Sequence, residues 1–134
     1  MKRATREWVR KAEKDYRLAK KLARGSEPFH DQLCFHCQQS AEKYLKALLE
    51  ERGIAVAKTH DLKKLFTTLQ PHYPELRSVK RGLAFLTQFA VDTRYPGRSA
   101  SKREAEAALR WTEQVRTAAR TILKLPLHPP RHKK

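Results

Sequence analysis

The sequence predicts an all-α protein, an up-and-down helical bundle of about five helices. Glycine is scarce, with four in 134 residues. No segment alternates apolar and polar side chains long enough for a sheet, whereas apolar residues recur at three- and four-residue spacing almost throughout. The breaks between periodic segments are short, as antiparallel neighbours in a bundle require.

The first helix is expected over residues 6–23. At about 100° per residue, Trp8, Ala12, Tyr16, Ala19, Leu22 and Ala23 share one face. Arg3, Arg6, Arg10, Lys14, Arg17, Lys21 and Arg24 run down the opposite side, the densest charge pattern in the chain. Asp15 falls inside the apolar face, where an unpaired carboxylate is costly, so it calls for a partner. Lys43 and His60, from neighbouring helices, are the candidates. Gly25 stops this helix, and Pro28 suits the first turn of the second, which runs to Arg52 and stops at Gly53.

Within the second helix the run "CFHC" raises the question of a metal or redox site. Leu33, Cys37, Ala41, Tyr44 and Leu48 fall on one stripe with Cys34 at its flank, which places both thiols in the core. His36 points more than a quarter turn away from either. His30, Cys34 and Cys37 share a face, but no fourth ligand stands at a fitting spacing, so no metal site and no cofactor are expected. The other side of the helix carries Phe35, Gln39, Glu42 and Lys46, with Lys43 and Glu50 alongside. An aromatic ring on an otherwise polar ridge points to contact with a ligand or a partner subunit.

Thr59 is the expected cap of a short third helix, "HDLKKLFTTL". A fourth helix is expected over residues 75–91, with Leu76, Val79, Leu83, Leu86 and Ala90 on one stripe and Phe85 and Phe89 on a second. That is more apolar surface than one neighbour needs and suggests a homodimer, the second stripe serving a two-fold interface or a contact with the fifth helix. Pro96-Gly97 then marks a sharp turn. Ser101 and Glu104 form an S-x-x-E capping box for the fifth helix, which buries Ala105, Ala108, Thr112, Val115, Ala119 and Ile122 and ends near Leu123. Arg94, Arg98, Ser99, Ser101, Lys102 and Arg103 crowd its N-terminus, where backbone N–H groups and guanidinium forks suit a phosphate. Residues 1–124 read as one domain, and residues 125–134, rich in proline and basic side chains, as a disordered tail.

Lysine and arginine number 30 against 14 acids, a formal net charge of +16. Such an excess favours polyanions: nucleic acid, nucleotides or an acidic partner. Two cysteines make no disulfide framework and no apolar run is long enough to span a bilayer, so a cytoplasmic location without membrane contact is expected.

The runs "FHCQQSAEKYLKALLEERGI", "KTHDL" and "RYPG", in this order, resemble those of a HEPN domain. The branch is that of small prokaryotic proteins encoded beside a minimal nucleotidyltransferase. The resemblance implies a four-helix core with a short extra helix, usually dimeric, and a cleft linked to nucleotide or RNA binding. By position it carries over Gln39, Glu42 and Lys43 on the second helix, His60 and Asp61 in the "HDL" turn, Arg94 and Tyr95 in the "RYP" turn, and Asp15 on the first helix.

The RNA-cleaving members carry R-x(4–6)-H before a late helix. Here the positions that a histidine would take from Arg94 hold Ser99, Ala100 and Ser101, and those from Arg98 hold Arg103, Glu104 and Ala105. The one literal match, Arg24 to His30, lies in another loop. The sequence therefore reads as a binding subunit of a toxin–antitoxin-like pair, with the phosphate ligands drawn from Gln39, Lys43, Lys46, His60, Arg94, Tyr95, Arg98 and Ser101. The alternative is a divergent, metal-independent ribonuclease with His60 and Arg94 as catalytic candidates.

Overall fold

The computed structural model describes residues 1–91 and 95–128. The α-helices among them are α1 (Arg3–Arg24), α2 (His30–Arg52), α3 (Leu62–Leu69), α4 (Lys80–Leu86) and α5 (Lys102–Ile122). Contacts between them give the directions. Thr5 bonds to Glu51 and Asp15 to Lys43 and His36, so α1 and α2 are antiparallel. Asp31 bonds to Ala100, Cys37 to Thr112 and Tyr44 to Arg120, so α5 runs parallel to α2. Residues 74–90 run back along α5, which completes a four-helix core, and α3 is the short fifth helix.

α2 is the axis of the bundle, buried on most of its circumference from Leu33 to Leu49. Cys34 and Cys37 are both fully buried in the core. Burial pushes the Cys34 thiol up to about 12 and the Cys37 thiol well above its ordinary value. Thiols held protonated in this way are poor nucleophiles and poor metal ligands. Gly53 ends α2 with φ at 77°, a conformation that only glycine adopts cheaply.

Several local expectations change. α1 starts at Arg3, because the Lys2 N–H and the Thr5 hydroxyl both donate to Glu51 and hold the first turn against the end of α2. Ala23 is exposed. The cap of α3 is Asp61, whose carboxylate accepts from Lys63 N at 2.9 Å; Thr59 instead accepts from Asp61 N. The expected fourth helix is three pieces, a 3-10 segment at Pro74–Val79, then α4, then a second 3-10 segment at Thr87–Ala90. Alternating three- and four-residue spacing satisfies both helix types, so the stripe alone did not separate them.

The second stripe of that arm serves the chain's own core. Phe89 is fully buried, Phe85 meets it edge-on at 5.3 Å, and the Arg98 guanidinium lies 5.9 Å from its ring centroid. Gly82 lets α4 meet Trp111 of α5: a Cβ built there would stand 2.2 Å from Trp111 Cε3. The capping box of α5 forms as expected, Ser101 and Glu104 each accepting from the other's backbone N–H at 3.0 Å.

Residues 125–127, expected to begin a loose tail, are held. Leu125 N donates to Arg120 O, and the Arg120 and Arg116 side chains donate to the carbonyls of Pro126 and Leu127. Residues 129–134 lie outside the described residues.

Ser40 stands on α2 with its hydroxyl buried and, among the described residues, without a hydrogen-bond partner. Ser40→Ala removes that desolvated group, and a gain of up to about 1 kcal/mol in urea unfolding is expected. A clear loss of stability would show that the hydroxyl is satisfied after all.

Candidate functional site

Two carboxylate-centred clusters flank Gln39 on the half-buried strip of α2. The first joins α1 to α2. Asp15 takes Lys43 Nζ at 2.6 Å on one oxygen and His36 Nδ1 at 2.8 Å on the other. Burial raises the Asp15 pKa, but the hydrogen bonds from His36 and Lys43 outweigh it, and the carboxyl sits below its ordinary value. Asp15 thus finds one of its two expected partners, Lys43. His60 is engaged elsewhere, and His36, dismissed in connection with the cysteines, takes its place.

The second cluster joins α2 to the turn before α3. Glu42 Oε2 accepts from Lys46 Nζ at 2.9 Å, while Oε1 lies 2.9 Å from His60 Nδ1 and accepts from Gln38 Nε2 at 3.2 Å. Gln38 also donates to the His60 carbonyl and accepts from Gln39 Nε2 at 2.8 Å. Glu42 and Lys46 were expected on a polar ridge in contact with a ligand or a partner subunit, yet both are buried within the chain's own fold. Trp8 of α1, 5.6 Å from Lys46 Nζ, and the turn carrying His60 cover them. The His60 side chain itself stays 69% exposed. Asp61 is occupied in capping α3.

The turn before α5 belongs to the same end of the bundle. Thr87 Oγ1 accepts from Leu62 N and donates to the His60 carbonyl, and the next residue, Gln88, accepts from Arg98 at 2.8 Å. Arg98 further donates to both oxygens of Glu104, at 3.0 and 3.3 Å, and to the Ser99 carbonyl. The bonds from Arg98 and from the Ser101 backbone hold the Glu104 carboxyl below its ordinary value. Arg98 and Ser101 therefore brace the start of α5, whereas Tyr95 is exposed. Lys102 and Arg103 are exposed too. Arg94 lies outside the described residues.

Among the described residues no three His, Cys, Asp or Glu side chains are placed to hold a metal ion. Gln38 and His36 are the site residues that sequence reasoning missed. Gln38 is buried because it reaches the turn before α3, and nothing in the helical period signals that.

The HEPN domain family model matches residues 5–122. The chain belongs to the HEPN domain family. Two solved structures share the fold. TT1696 from Thermus thermophilus is 25% identical with a TM-score of 0.72, the match covering 87% of this chain and 96% of that one. ST0689, an archaeal HEPN homologue, is 24% identical with a TM-score of 0.71, over 92% and 99% of the two chains. No curated protein matches. No helix among the described residues is long and apolar enough to cross a membrane.

Proposed function

We propose that this HEPN protein is a binding subunit that holds a nucleotide or nucleic-acid phosphate against α2. In this reading it acts with a minimal nucleotidyltransferase in a toxin–antitoxin-like pair. The observation that carries the reading is the Glu42–His60 pair. A buried carboxylate 2.9 Å from Nδ1 fixes a largely exposed imidazole with its other nitrogen facing outward, and an N–H there donates to a phosphate oxygen. Gln39 and Lys43 stand on the same strip of α2. Homodimerisation belongs to the same reading, with exposed Val91 and Tyr95 as apolar surface for a second copy. The positions of the R-x(4–6)-H histidine hold no group that titrates near neutrality, which supports binding over cleavage.

The same pair favours one other reading. With Nδ1 turned to Glu42, the second ring nitrogen is left to take a proton, the arrangement of a general base. A divergent ribonuclease would use His60 in that role, with Arg94 or Lys43 against the phosphate.

Both readings are tested by titrating wild type and His60→Ala with AMP in a calorimeter and incubating each with end-labelled single-stranded RNA. The binding subunit is expected to leave the RNA intact and to lose affinity for AMP at least ~10-fold in the variant, the loss of one charge-assisted hydrogen bond. Cleavage by wild type that His60→Ala abolishes would establish the ribonuclease instead. If wild type neither takes up AMP nor cuts RNA, both readings fail.

A further inference from the structure

α1 carries its cations where they work against it. Along the row from Arg3 to Arg24 each next residue, three or four positions on, is another cation, and like charges at those spacings destabilise a helix. The first turn has no acidic residue and no side-chain cap, so Arg3 and Arg6 stand at the positive end of the helix dipole. The acids of α1 give little relief. Glu13 turns to Arg116 and Arg120, and Asp15 to His36 and Lys43. Among the described residues Arg10 is the one member of the row with an ion-pair partner, Glu7. The whole row is exposed.

Its geometry is linear. At a rise of 1.5 Å per residue the row is roughly 32 Å long with a cation about every 5 Å, inside a sector of roughly 80°. A straight line of evenly spaced charge fits a polyanion that is itself a line. A lipid surface fits less well, because the apolar side of α1 (Ala12, Tyr16 and Ala19) is buried in the bundle and nothing is left to insert between headgroups. Trp8 and Asp15, the residues of α1 that meet Lys46 and Lys43 of α2, lie roughly 140–160° around the helix from the middle of the row. We infer that the α1 row is a docking track for the sugar-phosphate backbone of a nucleic-acid strand, separate from the His60 site.

The test is the salt dependence of binding to a fluorescein-labelled oligouridylate, followed by anisotropy on the full chain. A track that neutralises about five phosphates gives a log–log slope near −3.5 on a single strand. Arg10→Gln/Lys14→Gln/Arg17→Gln is expected to reduce that slope by about 2 and to weaken binding at low salt at least ~10-fold. Glutamine favours helix and relieves the repulsion, so this variant should melt at or above the wild-type temperature. Lys63→Gln/Lys64→Gln/Lys80→Gln removes the same charge from other helices and should leave the slope nearly unchanged. Equal losses in the two triple variants would overturn the track in favour of diffuse attraction. So would no wild-type binding, or tighter binding to phosphatidylserine vesicles than to the oligouridylate. His60→Ala should keep the wild-type slope. Loss of AMP binding there with the slope intact bears on the His60 site and its phosphate, while a flat slope with AMP binding intact overturns the track alone.

Discussion

Glu13→Ala should destabilise the protein by about 2–3 kcal/mol, the largest loss expected from any single charge in the fold. Glu13 accepts from Arg116 Nε at 2.8 Å and Nη2 at 2.9 Å, and it also accepts from the Tyr44 hydroxyl. Arg120 donates to Tyr44 and stands 3.7 Å from the carboxylate. Both arginines are more than nine-tenths buried, and Arg116 also covers the Tyr16 ring at 4.8 Å. Removing the carboxylate leaves two buried cations with, among the described residues, only the carbonyls of Pro126 and Leu127 and the Tyr44 hydroxyl as acceptors. Breaking a buried pair from one side costs about 3–5 kcal/mol. The 18% exposure of Glu13 lowers that figure through solvent screening.

The pH dependence fixes the cause. Burial raises the Glu13 pKa, but bonds from Arg116 and Tyr44 and the two cations outweigh it, so the folded value lies below the ordinary 4.5. A carboxyl whose folded pKa is depressed contributes stability above its unfolded pKa and loses it as pH falls through the folded value. The gap between wild type and Glu13→Ala in urea unfolding should therefore be full near pH 7 and close in acid, below about pH 4. Asp15 titrates in the same window but in both proteins, so it cancels from the difference. A gap that stays constant with pH would mean that lost packing, not charge, explains the effect.

Gly82→Ala is the second large effect, a loss of about 2 kcal/mol by overpacking even after the helix-propensity gain of about 1 kcal/mol that alanine brings. The new methyl would meet Trp111 at Cε3, Cδ2 and Cγ, the last 2.9 Å away. Cγ is the root of the indole, so a swing of the ring tip cannot clear the clash. Either α4 lifts from α5 or the whole ring leaves its place. The check is a double-mutant cycle with Trp111→Leu: the cost of Gly82→Ala should shrink when the indole is gone. Equal costs in both backgrounds would show that the close approach is not what Gly82 provides.

The positions of the helices were legible because each long helix carries one apolar stripe bounded by glycine, proline or a capping box. The break in the arm from Pro74 to Ala90 was not, because its stripe fits two helix types. Side chains decide it locally: Gln88 Nε2 bonds the Phe85 carbonyl, and Thr87 reaches the turn before α3. Of the candidate site, Asp15 was legible as a carboxylate on an apolar face, and Lys43 as its partner. Glu42 and Lys46 read as part of a ridge for a ligand or a partner subunit because a wheel drawn for one helix knows nothing of Trp8 or His60, which close over them. Arg116 and Arg120 were invisible for the same reason, being charged residues whose burial depends on another helix.

The Glu13 cluster also bears on the order of folding. α1 and α2 are neighbours in sequence and antiparallel, so their packing closes only a short loop. Arg116 and Glu13 are 103 residues apart, and their bond closes most of the chain at once. A contact that waits on so much chain is expected to form after the transition state and to break early in unfolding, which the two arms of a urea chevron check. The cluster then acts as a kinetic latch between the first and last helices. In that case Glu13→Ala speeds unfolding and leaves the rate of folding almost untouched.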